Sequence, residues 1–295
     1  MNWTPESKVL LQGITEPLGS HYAPKMKACG TNIVAGVSAG QGGQFLDEIP
    51  VFDLVEEAIS QVGEVGTALI FVEPYSALDA ALEAIAAGIK QIIIISRGVP
   101  PLDMVRLLKK AQATNTLILG PGSEGIIIPE KIWLGTSEPQ FYTPGNVGLI
   151  DRSDSLSYEV ALELNQAGLG QSIAVSLGTD GIVGSSVEQW LQILEEDEST
   201  QAIVLIGQLS GSVEESAAEY IASAIKKPVI AYIAGLHSPV ERTFGDAATM
   251  IAAQLSHSVP TISTDKQTIA AFQKAKVSVA KRPSQIPELV KKALK

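Results

Sequence analysis

The sequence predicts an α/β protein built around two parallel sheets. Short β-rich apolar runs alternate with segments of helical spacing, which is the pattern of βα units. Hydrophobic residues make up 45% of the chain but aromatic residues only 5%, as is typical of an α/β core rich in small aliphatic side chains. A length of 295 residues exceeds the usual size of a single core. We therefore expect two domains.

The first half predicts a Rossmann-like sheet. Its β-rich runs lie at 8–14, 31–37, 67–73, 91–98 and 116–121. Helical spacing covers 22–30, 51–63, 76–88 and 100–112. These helical segments end at or near a glycine or a polar turn, as helices commonly do. Parallel strands joined by such crossovers form the doubly wound sheet of nucleotide-binding folds.

A loop-rich stretch at 136–146 precedes a second series of βα units. Strands are predicted at 147–153, 172–178, 202–208 and 228–235. The helical segments are 155–168, 187–197, 213–226 and 265–275, and the basic end of 281–295 suits the dipole of a terminal helix. The pattern predicts a flavodoxin-like sheet, with domains at 1–143 and 144–295.

The net charge and the cysteine content limit the ligands, metal sites and cell compartment that we expect for this chain. The formal net charge of −11 disfavours nucleic acid and anionic membranes, so a bound anion would need local backbone donors. Cys29 is the single cysteine, and one cysteine among three scattered histidines predicts neither an internal disulfide nor a metal site. A reducing compartment follows, and with no leader-like or membrane-spanning apolar run we expect a cytoplasmic location.

The turns that follow the first two strands are candidate ligand loops. In open parallel sheets, ligands lie beyond the carboxyl ends of the strands. The turn at 13–19 is bounded by glycines but departs from GxGxxG, so ligand binding and a plain βα turn remain equally open. Small residues at 38–43 would let a ligand approach the main chain, although a merely flexible loop explains them too. The first half is therefore expected to hold a nucleotide-like ligand.

The loops also carry a family resemblance. The chain contains, in order, QGIT, VSAGQGG, IPVFD, ALEAIAAGIKQIIIISRGVPPLDM, LGPGSEGIIIP, SYE, AIVLIGQ and KPVIAYIAG. The residues of these segments and their spacing resemble those of the alpha subunit of succinyl-CoA synthetase, an ADP- or GDP-forming acid–CoA ligase, over essentially the whole chain. The resemblance implies a Rossmann-like CoA-binding domain, a flavodoxin-like ligase domain, and phosphate transfer from an acyl phosphate through a histidine to a nucleotide. It also implies a beta subunit with an ATP-grasp fold, which would carry Mg²⁺ and ATP or GTP, and a small carboxylic acid as substrate.

The resemblance assigns CoA contacts to the loops of the first domain. They are Thr15, Glu16, Pro17, Leu18, Gln41, Ile95, Ser96 and Arg97. Only Thr15 matches the Thr-Gly-Ser-Gln of the family, and Gln41 replaces a lysine that serves CoA. Arg97 replaces an acidic residue. Its planar guanidinium suits phosphate or carboxylate, so Arg97 either compensates for Gln41 or is a solvated surface arginine.

The phosphotransfer residues of the family are altered in the second domain. Asp246 occupies the position of the phosphorylated histidine, and Gln208 that of the glutamate that orients it. Because both have changed together, we expect the histidine step to be absent. Three interpretations of Asp246 remain open: an aspartyl phosphate, an N-cap for the following helix with no chemical role, or a structural residue beside a displaced acceptor, His237.

Other phosphate-handling segments are partly retained. By resemblance, the substrate and phosphate contacts fall on Ser153, Ser155, Tyr158, Gly178 and Thr179, while Asp154 replaces a usual glycine. Two functions therefore remain. One is a ligase subunit that interconverts succinate, CoA and nucleoside triphosphate with succinyl-CoA, nucleoside diphosphate and phosphate. The other is a non-catalytic CoA- or acyl-CoA-binding regulatory paralogue.

Overall fold

The first sheet of the computed structural model lies in the N-terminal half. The structure describes residues 3–153, 155–208, 213–236 and 265–295. The strands are β1 (Val9–Gln12), β2 (Ile33–Val37), β3 (Phe45–Leu46), β4 (Ile49–Phe52), β5 (Thr67–Ile70), β6 (Gln91–Ile94) and β7 (Leu117–Leu119), in the order β3-β4-β2-β1-β5-β6-β7. The helices are α1 (Pro17–Ala28), α2 (Val55–Val62), α3 (Ala77–Ala86) and α4 (Pro101–Thr114). The central strands are buried along their length, as expected for a sheet covered by helices on both faces.

The strand order reverses direction next to β1. This strand pairs in parallel with β2 on one side and with β5 on the other. The chain winds outward from β1 to β2 and later returns to β5, which creates a topological switch point between β1 and β5. Ligands of doubly wound sheets bind in the crevice at such a point.

The second sheet contains most of the C-terminal half. Its strands are β8 (Gly125–Ile128), β9 (Ile132–Gly135), β10 (Pro144–Asp151), β11 (Gln171–Ser176), β12 (Ala202–Gln208), β13 (Val229–Ala234) and β14 (Ser278–Ala280), in the order β14-β13-β12-β10-β11-β8-β9. The helices are α5 (Leu156–Gln166), α6 (Val187–Glu196), α7 (Val213–Ala224), α8 (Asp265–Lys274) and α9 (Ile286–Ala293). With two parallel-dominated sheets, the predicted α/β class is confirmed.

Two hairpins differ from the sequence-based expectation. The end of the β3–β4 hairpin overlaps the start of the segment predicted as a helix at 51–63, because Ile49 and Val51 face the core with period two before the helical period starts at Val55. The β8–β9 hairpin lies before the expected domain boundary at 143/144, yet β8 pairs antiparallel with β11 of the second sheet. Helix α1 also begins earlier than expected, since Pro17 sits well in the first turn.

The β8–β9 hairpin also packs against the first half. The Thr31 hydroxyl donates a hydrogen bond to the Trp133 carbonyl oxygen at 2.7 Å, and the Tyr22 and Trp133 rings meet edge to face with centroids 6.1 Å apart. Trp3 stacks on Trp190 of α6 at 6.2 Å. These aromatic contacts join the two halves. None of the helices in the described ranges is long and apolar enough to cross a membrane.

Candidate functional site

Helix α1 starts directly on the turn that follows β1. A Cβ on Gly19 would lie 2.2 Å from the Gly13 carbonyl oxygen, so only glycine lets the helix approach the turn this closely. Gly13 itself has a φ of 77° and donates its N–H to Val37 at the end of β2. This packing fixes the start of α1 at the carboxyl edge of the sheet. Glu16, Pro17 and the 51% exposed Leu18 lie there.

The loops after β1 and β2 meet through their hydroxyl groups. Thr15 Oγ1 donates a hydrogen bond to Ser38 Oγ at 2.8 Å, which joins two loops that are 23 residues apart in sequence. Gln41 is exposed, and its side-chain oxygen accepts a hydrogen bond from Gln44 Nε2 at 2.7 Å. The neighbouring Gly42 N–H is bound by the Asp53 carboxylate at 2.9 Å. The glycine-rich loop is therefore ordered partly by an internal carboxylate.

The segment after β6 lies on the other side of the switch point. Ile95 is buried, Ser96 is half-buried and Arg97 is exposed. The Ser96 hydroxyl donates a hydrogen bond to the Val72 carbonyl oxygen at the end of β5. The segments that follow β5 and β6 are thus tied together, as are the loops after β1 and β2. The carboxyl edge of the first sheet carries all the sequence-predicted CoA residues.

A loop of the second half packs against this edge. A Cβ on Gly178 would lie 2.1 Å from the Pro121 carbonyl oxygen, so the loop after β11 touches the main chain that follows β7. A Cβ on Gly122 would lie 3.5 Å from Thr179 Oγ1 and 3.2 Å from Asp180 Oδ1. Gly178 and Thr179, predicted as phosphate contacts, therefore lie against the first half.

The last residue of β10, Asp151, carries a buried carboxyl group. Asp151 is fully buried, and its Oδ1 accepts hydrogen bonds from the Ser153 N–H and the Ser153 hydroxyl, both at 2.7 Å. Ser153 Oγ in turn accepts the Leu156 N–H at 3.1 Å, so the start of α5 is held by this short relay. Asp151 Oδ2 is buried with no hydrogen-bond partner among the described residues. Burial raises the pKa of Asp151 to about 7.

Further polar groups surround Asp151. The Ser157 hydroxyl lies 3.4 Å from Glu124 Oε2, and the charge of Glu124 adds to the upward shift in the pKa of Asp151. Burial also raises the pKa of Tyr142 well above its usual range. The surroundings of Asp151 and Tyr142 therefore favour the protonated, uncharged forms of these two side chains, and they oppose a further negative charge.

Gln208 lies beside an ion pair between the buried Glu214 and the half-buried Arg152. Its side-chain amide donates a hydrogen bond to the Arg152 carbonyl oxygen at 2.6 Å, and its backbone N–H donates to Glu214 Oε1 at 3.1 Å. Glu214 Oε1 also pairs with Arg152 Nη1 at 2.6 Å. Burial raises the pKa of Glu214, and the positive charge of Arg152 opposes that shift. The Gln208 side-chain amide thus binds the backbone of the loop after β10.

The remaining predicted residues fall into two groups. Ser155 precedes α5 and is exposed, and the Tyr158 ring packs on Phe141 with centroids 5.6 Å apart. Asp246 and His237 lie outside the described residues. Within the described ranges, no three His, Cys, Asp or Glu side chains come together as a metal site.

Three acidic residues with roles in the site were not among the predicted site residues. They are Asp151, Glu214 and Asp180, whose carboxylates bind backbone N–H groups or Arg152. Asp151 carries the clearest signal in the sequence, since an aspartate terminates the otherwise apolar run Val-Gly-Leu-Ile. The contacts of Glu214 and Asp180 have no local sequence signal.

Comparison with known protein families matches both halves of the chain. Residues 4–98 match the CoA binding domain, and residues 144–292 match the succinyl-CoA ligase like flavodoxin domain. The chain is 38% identical over 288 residues to succinate–CoA ligase [ADP-forming] subunit alpha 2 of Archaeoglobus fulgidus, covering 98% of this chain and 97% of that one. It is 39% identical over 252 residues to the malate–CoA ligase subunit alpha of Methylorubrum extorquens, covering 84% and 85%.

Solved structures show the same fold. An ATP citrate lyase of Methanosaeta concilii, in complex with (3S)-citryl-CoA, superposes with a TM-score of 0.82 at 19% identity, covering 100% of this chain and 50% of that one. Fold and matched domains together define a CoA-binding domain followed by a ligase-type flavodoxin-like domain. The chain belongs to the family of succinate–CoA ligase alpha subunits.

Proposed function

We propose that this chain is the CoA-binding, alpha-subunit-like component of an ADP- or GDP-forming acid–CoA ligase with an altered phosphotransfer site. In that role it would act in the cytoplasm on succinate or a related small carboxylic acid. Mg²⁺ and ATP or GTP would be carried by an ATP-grasp beta subunit, with which the chain would form a heterodimer. Relatives named succinate–CoA and malate–CoA ligase alpha subunits support this proposal.

One observation carries the CoA assignment. The Thr15 and Ser38 hydroxyls are joined at 2.8 Å, at the edge where the strand order reverses. In the proposed site these hydroxyls and the main chain of the glycine-rich loop would hold the neutral part of CoA, and the Arg97 guanidinium would serve a phosphate. CoA would supply the thiol that takes the acyl group. Because Gln41 is uncharged, it cannot offer a positive charge to a phosphate of CoA. We therefore assign that role to Arg97.

A second candidate function is a non-catalytic CoA- or acyl-CoA-binding regulatory protein. It is favoured by the arrangement at the start of α5. The Ser153 N–H and hydroxyl, which would serve a phosphate, are already bound by the Asp151 carboxyl group. Gln208 supplies no carboxylate, and its amide is committed to the Arg152 carbonyl oxygen. Both features weaken the case for phosphate transfer on this chain.

Replacing Arg97 by alanine is expected to weaken CoA binding roughly tenfold, because a charge-assisted contact to phosphate is lost. Titration calorimetry with CoA and with dephospho-CoA measures the effect and identifies the phosphate involved. Arg106→Ala is the matched control, since Arg106 is exposed on α4 and pairs with Asp103 at 3.6 Å. Absence of saturable CoA binding by the unmodified chain would refute the CoA assignment.

The phosphotransfer site is tested by labelling. Incubating the chain with its cognate beta subunit and γ-labelled ATP is expected to give no alkali-stable phosphohistidine, because Asp246 and Gln208 replace the dyad. A phosphohistidine that disappears in His237→Ala would support the ligase mechanism and overturn this expectation. A hydroxylamine-sensitive label that disappears in Asp246→Asn would instead establish an aspartyl phosphate.

A further inference from the structure

Asp180 reaches from the second half of the chain into the proposed CoA site. Its Oδ2 accepts hydrogen bonds from the Gly98 N–H at 2.8 Å and from the Val99 N–H at 3.3 Å. These residues are 82 and 81 positions away in the sequence. They directly follow Arg97, which we assign to CoA. A side chain of the flavodoxin-like half therefore binds the backbone of the CoA-binding half.

The start of α4 explains why an external carboxylate is needed there. Pro100 and Pro101 open the helix and have no N–H to donate. Within the described residues, no side chain of the helix itself caps this end. The Gly98 and Val99 N–H groups that precede the helix, together with the helix dipole, favour a negative charge at this point. Asp180 supplies that charge.

The same segment is held from its other side. The Gly122 N–H donates a hydrogen bond to the Ser96 carbonyl oxygen at 2.8 Å. A Cβ on Gly122 would lie 3.2 Å from Asp180 Oδ1 and 3.3 Å from Arg97 Cγ, so both side chains flank this glycine. The backbone from Ser96 to Val99 is thus clamped between the loop after β7 and the Asp180 carboxylate.

We propose that Asp180 is a positioning residue for CoA: it fixes the Ser96–Val99 backbone, and with it Arg97, in the conformation that binds CoA. The affinity of the first half for CoA then depends on a residue of the second half. Any movement of the loop after β11 changes the CoA site directly. The CoA part of this inference rests on the proposed function, whereas the backbone clamp does not.

Amide hydrogen exchange tests the clamp without any ligand. In Asp180→Ala, the Gly98 and Val99 amides are expected to exchange at least tenfold faster than in the unmodified chain, because the carboxylate that accepts their hydrogen bonds is gone. Asp180→Asn keeps a side-chain oxygen acceptor and is expected to restore most of the protection. Asp103→Ala removes a carboxylate from the first turn of the same helix, and exchange at 96–99 should not change. Equal exchange in the unmodified chain and Asp180→Ala would overturn the proposal.

CoA titration tests the consequence for the site. Asp180→Ala is expected to weaken CoA binding roughly tenfold, Asp180→Asn about threefold, and Asp103→Ala not at all. Cooperative thermal unfolding of each variant excludes a general loss of structure. If the unmodified chain binds CoA and Asp180→Ala binds it equally well, the positioning role is wrong while the CoA assignment stands. If the unmodified chain does not bind CoA, the proposed function fails and the exchange experiment still decides the clamp.

Discussion

Replacing Asp151 by asparagine is expected to raise the free energy of unfolding by about 3 kcal/mol more at pH 8 than at pH 5. Asparagine keeps an oxygen that accepts the two hydrogen bonds from Ser153, but it carries no charge. The Asp151 carboxylate is fully buried, and burial raises its pKa from 3.8 to about 7. Above this pH the native state must hold an unfavourable buried negative charge.

The direction of the pH dependence follows from proton binding. Between its unfolded pKa near 3.8 and its folded pKa of about 7, Asp151 binds more protons in the native state than in the unfolded state. Its contribution to stability is therefore fully present below the unfolded pKa and is lost as the pH rises through about 7. Urea unfolding between pH 5 and pH 8 should show a decline in the unmodified chain that Asp151→Asn reduces.

Asp53 provides the matched control for this experiment. It is exposed, and its carboxylate also accepts a hydrogen bond from a backbone N–H, that of Gly42 at 2.9 Å. Asp53→Asn removes the same charge without relieving any burial, so we expect little change in the pH dependence of stability. A pH dependence in Asp151→Asn equal to that of the unmodified chain would show that Asp151 is not the titrating group.

Replacing Glu214 by alanine is expected to lower the free energy of unfolding by about 3–5 kcal/mol. Glu214 is 2% exposed, and its carboxylate neutralises the Arg152 guanidinium at 2.6 Å. The substitution removes that neutralising charge from Arg152, whose side chain is only 14% exposed, and it also removes the acceptor for the Gln208 N–H. Urea unfolding at pH 7 measures the loss. Glu219→Ala, on the exposed face of the same helix, should stay within about 0.5 kcal/mol of the unmodified chain.

A double-mutant cycle separates the ion pair from the packing around it. Arg152→Leu and Glu214→Leu together are expected to cost less than the sum of the single changes, by about 2 kcal/mol, because no buried charge is left behind. Strict additivity would show that the two side chains do not stabilise one another. The cycle also bears on function, since this ion pair fixes the loop that contains Ser153.

Carboxylates in the second half affect how favourably a phosphate could bind there. Asp151 lies at the end of β10 near Glu124, and Glu214 binds the Gln208 N–H at the end of β12 and pairs with Arg152. Each negative charge raises the free energy of a doubly charged phosphate placed nearby. This arrangement agrees with the expected loss of the histidine step. The labelling experiment decides between a ligase subunit and a binding protein.

Much of the architecture could be predicted from the sequence. The alternation of apolar runs with helical spacing predicted an α/β chain, and family-specific loops predicted a CoA-binding domain followed by a flavodoxin-like domain. Both predictions are confirmed. These features are readable because strand and helix periods, and the glycines of tight turns, are local properties of the chain. The assigned site residues remain predictions, and the labelling and CoA titrations will test them.

Only the tertiary structure placed the remaining features. The β8–β9 hairpin precedes the expected domain boundary but pairs with β11, because strand pairing follows the available sheet edge rather than position in the chain. Asp180 binds the backbone of Gly98 across 82 residues, and Asp151 is fully buried with its Oδ1 bound by the Ser153 N–H and hydroxyl. The sequence by itself determined the fold class, the family and the loops expected to hold CoA. The folded chain decided which carboxylates are buried and which backbone donors they occupy, since burial and long-range contacts arise only when distant segments pack together.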